Sequence, residues 1–161
     1  PMTAAAWPSN STPPFHAEVD GKHFVDAAAT SEDRQWALWT HLGPLLAAAI
    51  TSGTLAPLSI AWGLYVLYVP GKKSAFVADH GREMTNFGIS YLLYWTVGSL
   101  VLGVVTAGLA LVVWMPFLLI FGLVATIMAS VAGSKGRYYR YPVCIRFLKG
   151  PDHEPQARPE F

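Results

Sequence analysis

A chain of 161 residues with eleven Lys and Arg against ten Asp and Glu has the length of one domain and lacks the basic excess that suits a nucleic-acid partner. The charges are unevenly placed: no Asp, Glu, Lys or Arg occurs from Gln35 to Gly71 or from Met84 to Ser134. A soluble helix of that length needs a solvated polar face, and a bilayer removes the need, so the composition points away from a soluble domain and toward an all-α integral membrane protein. The lone Cys144 excludes an internal disulfide and has no neighbouring metal-ligand partner.

In chain order, residues 1–30 read as a disordered or extended tail. Glu18, Asp20, Asp26, Glu32 and Asp33 stand against only Lys22 and Arg34 before the first uncharged run, an acidity that fits neither a signal peptide nor a transit peptide. As one helix the first run would be roughly 55 Å long, too long for one crossing of a core about 30 Å thick. Ser52-Gly53-Thr54 is a turn signal and Pro57 suits the first turn of a new helix. The expectation is span one over about 35–52, kinked at Pro44, and span two over about 55–69.

Residues 72–87 are patterned. On a helix Phe76, Val77, His80, Met84 and Phe87 share one side, with Asp79, Arg82, Glu83 and Asn86 mostly on the other, which predicts an amphipathic helix lying in the interface before the third span. The second run, roughly 75 Å as one helix, also needs two crossings. Span three is expected over about 87–111 and span four over about 115–133, with Pro116 in the first turn. The reading is therefore four transmembrane helices in two hairpins, a membrane domain over 31–148 and a short polar tail over 149–161.

Four spans put the N-terminal tail, the 70–83 loop and the C-terminal tail on one side. All eleven basic residues fall in those segments, and basic residues are retained in the cytoplasm. That predicts a multi-pass protein of a bacterial inner (plasma) membrane with both termini cytoplasmic. Trp36, Trp39, Tyr65, Tyr68, Tyr138, Tyr139 and Tyr141 stand where rings prefer the headgroup level. In the strip GRYYRYPVCIRF, 136–147, Pro142 stops the last helix and biases Tyr141 toward extended backbone. The strip reads as an interfacial anchor.

Four stretches together, WALWTHLGPL at 36–45, LAPLSIAWGLY at 55–65, SAFVADHGREMTNF at 74–87 and SKGRYYRYPVCIRF at 134–147, resemble a bacterial four-helix membrane family of unknown function related to the Tic-twenty-like chloroplast protein-import component. The motif residues are His80, Asn86 and Phe87, then Tyr139, Tyr141, Pro142 and Arg146. Met84-Thr85 and Gly88 stand where the family usually has Ala-Leu and Gln. The resemblance implies a four-helix membrane domain and makes the closing strip a family signature, with Tyr141 and Arg146 expected to contact the 72–87 segment. It supplies no reaction.

His41 is the one ionisable residue of ordinary pH inside an expected span, a candidate ligand for haem or a pigment; its alternative is a histidine hydrogen-bonded near the headgroups. No HExxH, GxSxG or cysteine pair accompanies His80, and no Asp or Glu lies in an expected span, as a coupled transporter would need. Small residues recur at Ala125, Ala129 and Gly133 and at Ser99, Gly103 and Ala107, spacings that allow close helix packing. The expectation is a non-enzyme with no cofactor. It is an accessory or scaffold subunit partnered by the lipid bilayer and by other subunits of a membrane complex (respiratory, photosynthetic or translocation), with no nucleic acid. A translocation or channel component, and a pigment-binding protein using His41, are the alternatives.

Overall fold

The computed structural model describes residues 18–20, 23–51 and 57–150. Helix α1 (Ser31–Ile50) begins at a reciprocal cap: the Thr30 hydroxyl accepts from the Asp33 amide and the Asp33 carboxylate accepts from the Thr30 amide. Glu32 and Asp33 in the first turn suit the positive end of the helix dipole. The helix continues through Pro44 to Ile50. Helix α2 (Leu58–Tyr68) follows, then a 3-10 turn at Pro70–Lys72. Ser74 caps α3 (Ala75–Leu93), which passes through one π-helical turn at Tyr94–Gly98 into α4 (Ser99–Val105). Residues 106–110 turn the chain, with Ala107 and Gly108 at φ of 49° and 86°. Helix α5 (Leu111–Ser134) runs back. It starts earlier than the expected span four, so Pro116 lies in its second turn.

Side-chain contacts set the relative heights of the helices. A Cβ on Gly98 would meet the Trp114 ring, one on Gly122 the Tyr91 ring, and one on Gly133 would press on Ala37. On α2, Gly63 sits against Gly81 and Thr85, and Gly88 against Ser59 and Ile60. The α1–α2 hairpin therefore ends near the level of Ser90, while the helix beyond Ser90 rises about 22 Å further to Val105. Among the described residues two helices are long and apolar enough to cross a membrane: the continuous Ala75–Val105, 31 residues, and Leu111–Ser134. The eleven residues of α2 rise only about 16 Å, roughly half of a hydrocarbon core. The expected break at Ser52-Gly53-Thr54 lies outside the described residues, as do residues 1–17 and 151–161 of the two expected tails.

The expected interfacial helix before the third span is corrected. Residues 75–87 are the first turns of one helix that continues to Val105. Both of its sides are buried, Phe76, Val77, His80, Met84 and Phe87 on one and Asp79, Glu83 and Asn86 on the other. The polar side that the sequence pattern assigns to water faces the C-terminal strip instead.

The helical class gains one addition. Strands β1 (Glu18–Asp20) and β2 (His23–Val25) pair antiparallel, with Val19 opposite Phe24. Beyond α5 the chain returns beside β2: Val25 bridges Arg137, the Asp26 amide donates to the Gly136 carbonyl at 2.8 Å and the Tyr138 amide to the Phe24 carbonyl at 2.9 Å. Part of the expected N-terminal tail is thus paired backbone. One buried cluster, Ala37, Val66, Phe76, Val77 and Tyr138, fills this base; a second, Phe87, Ala125, Ala129 and Tyr141, lies between α3 and α5. Toward the far tip Leu100, Val104, Val105, Leu109, Val112 and Val113 are exposed, the surface that lipid covers in a membrane protein.

Candidate functional site

Gly136, at φ 70°, turns the chain out of α5, and residues 137–148 run along α3. Four side chains of α3 receive them, Asp79, Glu83, Asn86 and Ser90, which share one helical face. The Arg140 guanidinium donates to both Asp79 oxygens at 2.6 and 3.1 Å, and Arg82 reaches the same carboxylate at 3.4 Å. Glu83 accepts from the Tyr141 amide at 3.3 Å and from Arg146 Nε at 3.3 Å. Ser90 Oγ accepts from the Ile145 amide at 2.9 Å. Asn86 makes a reciprocal pair with the Leu148 backbone, its carbonyl accepting at 2.8 Å and its amide donating at 3.0 Å. One side chain with both a donor and an acceptor can replace a strand partner in this way.

Beneath this ladder is a buried wire. Tyr141 Oη lies 2.9 Å from His41 Nδ1, His41 Nε2 lies 2.8 Å from His80 Nδ1, and His80 Nε2 lies 3.2 Å from the Arg137 carbonyl oxygen. The carbonyl can only accept, so His80 Nε2 carries a proton. With His80 neutral, its Nδ1 accepts from His41 Nε2, and His41 Nδ1 accepts from the Tyr141 hydroxyl. The chain of donors has one direction and both rings are neutral in it. The Tyr141 ring stacks on Phe87 with centroids 3.9 Å apart and planes 9° from parallel. Burial pushes the Tyr141 phenol well above its ordinary range. Tyr138 is likewise pushed up by burial and by the Asp26 carboxylate, to which its hydroxyl donates at 2.7 Å. Burial also raises the Cys144 thiol.

The structure brings together His41, His80, Asn86, Phe87, Tyr141 and Arg146. Tyr139 packs edge-on to Tyr141, with centroids 5.2 Å apart. Pro142 stands outside the ladder and lines an apolar groove with Phe117 and Phe121. Both ring nitrogens of His41 are engaged, so a haem or pigment would have to displace Tyr141 or His80. Among the described residues no group of three His, Cys, Asp or Glu is placed to hold a metal ion.

Of the small-residue rows, Ala125 and Ala129 are buried and Gly133 packs on α1. Gly103 meets Leu111, and Ser99 has a buried hydroxyl with no partner among the described residues. Ala107 lies past the end of α4, in the tip turn, so that row is broken. The sequence reading missed Asp79, Glu83, Ser90 and Arg140, whose partners are distant in the chain, and Gly63, Gly81 and Gly88. A glycine inside a helix costs about 1 kcal/mol and signals a packing reason, a signal that was available at all three.

Residues 32–148 match the model of a family described as the magnetosome magnetite crystal formation protein family, MamF_MmsF. No curated protein matches the chain, and no solved structure does.

Proposed function

Since the chain belongs to the magnetosome magnetite crystal formation protein family, a bacterial membrane-protein family, we propose that it is a non-catalytic accessory subunit of the membrane around a growing crystal. In this reading it acts by packing against other membrane proteins. The observation that supports it is where the polar chemistry goes. Asp79, Glu83, Asn86, His41 and His80 are engaged with the strip or with one another, while the apolar faces of α4 and α5 are open.

The proposed topology puts both termini and the Lys72-Lys73 turn in the cytoplasm, following the basic residues. Continuous α3–α4 and α5 cross the membrane. The α1–α2 hairpin enters from the cytoplasmic face; the short α2, about 16 Å long, supports a shallow insertion over the two further full spans of the four-span expectation. A cysteine placed at residue 54 and reached by impermeant reagent only from the far side would restore four spans. Residues 51–57 and 106–110 contain no Asp, Glu, Lys, Arg or His. Carboxylate and imidazole side chains are the usual protein ligands for metal cations, and neither segment supplies one. This favours organising other proteins over direct contact with mineral.

The test is deletion of the gene with electron microscopy of the crystals, paired with purification in mild detergent. The expected result is an altered size or shape distribution and co-purified membrane proteins. Unchanged crystals together with a lone, monodisperse protein would remove the accessory role.

A further inference from the structure

A groove of about 520 Å³ opens between α1 and α2, lined by Glu32, Gln35, Trp36, Trp39, Gly43 and Trp62. It follows α1 for about 16 Å. Its chemistry changes along that length, from a carboxylate and an amide, through indole rings, to a glycine with no side chain. Trp62 is held as a wall: its indole N–H donates to the Trp39 carbonyl at 3.3 Å, and its ring stacks on Tyr65 with centroids 5.6 Å apart. Trp39 is 47% exposed, so its ring stays available. Asp33, not Glu32, closes the helix cap, and no hydrogen bond or ion pair engages the Glu32 carboxylate among the described residues.

The Glu32 end lies at the base, where the basic residues cluster. The Gly43 end lies past His41, toward the apolar half of the molecule. An occupant that matches both ends is an amphiphile with a cation at its head. We propose that this groove binds a phospholipid with an ammonium headgroup. The ammonium N–H groups donate to the Glu32 carboxylate and the Gln35 carbonyl, and the cation lies against the indole faces. One acyl chain continues past Gly43, where the missing side chain leaves the wall open. Tryptophan at a membrane interface is ordinary; the concavity and the unengaged carboxylate at one end are what single out an ammonium lipid. An anionic headgroup would be repelled by Glu32. The inference rests on α1 lying against the bilayer and not on the accessory role, so a normal crystal phenotype leaves it standing.

The experiment uses the full chain in nanodiscs containing photoactivatable phosphatidylethanolamine or phosphatidylglycerol, with labelled positions mapped by peptide mass spectrometry. Phosphatidylethanolamine is expected to label 36–43 and 58–65 in preference to phosphatidylglycerol. Glu32→Gln is expected to lower that yield roughly five- to tenfold without changing the circular dichroism, and to shift the melting midpoint by no more than the loss of one first-turn charge, because the cap is intact. Gln35→Leu is a second variant with the same expected direction. Equal labelling by both lipids, yields unchanged in both folded variants, or cross-links to a second copy of the chain in place of lipid would each overturn the proposal.

Discussion

Tyr141 carries two contacts in one side chain, its ring on Phe87 and its hydroxyl on His41. Tyr141→Phe keeps the first and leaves His41 Nδ1 buried without its donor, an expected loss of about 1–3 kcal/mol. Tyr141→Leu also removes the ring pair, a further loss of about 0.5–1.5 kcal/mol; thermal unfolding in detergent reads both. The Arg140–Asp79 pair is asymmetric, because Asp79 is buried and Arg140 is about one-third exposed. Arg140→Ala therefore costs more than Asp79→Ala, about 3 kcal/mol, since it takes the two short charge-assisted bonds from a buried carboxylate and leaves Arg82 at 3.4 Å. The double variant recovers part of that loss, and equal single effects would contradict the asymmetry. Tyr138 and Tyr141 hold their phenolic protons above the ordinary range, whereas the unfolded chain releases them from about pH 10. The folded state then binds more protons, so stability is flat through neutral pH and falls as pH rises above about 10. Tyr138→Phe flattens part of that fall in a pH series of melting curves. The motif residues Asn86, Tyr141 and Arg146 were legible as special from the resemblance. The resemblance also directed Tyr141 and Arg146 to the 72–87 segment, and both reach Glu83 there; which residue of the segment receives them was not legible, because a side chain 58 or 63 positions away leaves no local pattern.

The α2–α3 crossing depends on having no side chains where the helices touch. A Cβ on Gly81 would stand 2.6 Å from the Leu67 amide nitrogen and 3.0 Å from the Gly63 carbonyl oxygen, and backbone does not yield. Gly81→Ala is expected to destabilise by about 1–3 kcal/mol. Gly103→Ala, which meets only a Leu111 methyl at 3.4 Å, is expected to be close to neutral or slightly stabilising through helix propensity. Equal melting points for the two would contradict the crossing. The long apolar helices were legible because uncharged runs of that length have few other uses. Where one helix ends and another begins was less so. Hydropathy drops at Glu83, and an interfacial helix joined to a span gives the same profile as one continuous helix whose lower turns are covered by protein. The cap at Thr30 is legible in Thr30-x-x-Asp33.

At the scale of the molecule, the base is a polar assembly drawn from both ends of the chain, and the far half is an apolar hairpin. Ending the chain after Ser134 is expected to leave a protein that inserts but is rapidly cut within 75–90 under limited proteolysis, where the full chain resists. Equal resistance would make the strip dispensable. The positions of the basic residues carried the expected sidedness, whereas the assembly at the base depends on contacts across the whole sequence, such as Tyr138 with Asp26, 112 positions apart. The separation also has a meaning in time. Asp79 waits for Arg140 over 61 positions and Glu83 for Arg146 over 63, which at about 5–20 residues per second is roughly 3–13 s of synthesis. Throughout that interval α3 carries two carboxylates that have no place in hydrocarbon, so its lower turns stay at the membrane surface while α4 and α5 insert. The residues that cover them are made only after every helix of the bundle. A chain that stops before Arg140 keeps that acidic face open to inspection, and one that extends past Arg146 conceals it.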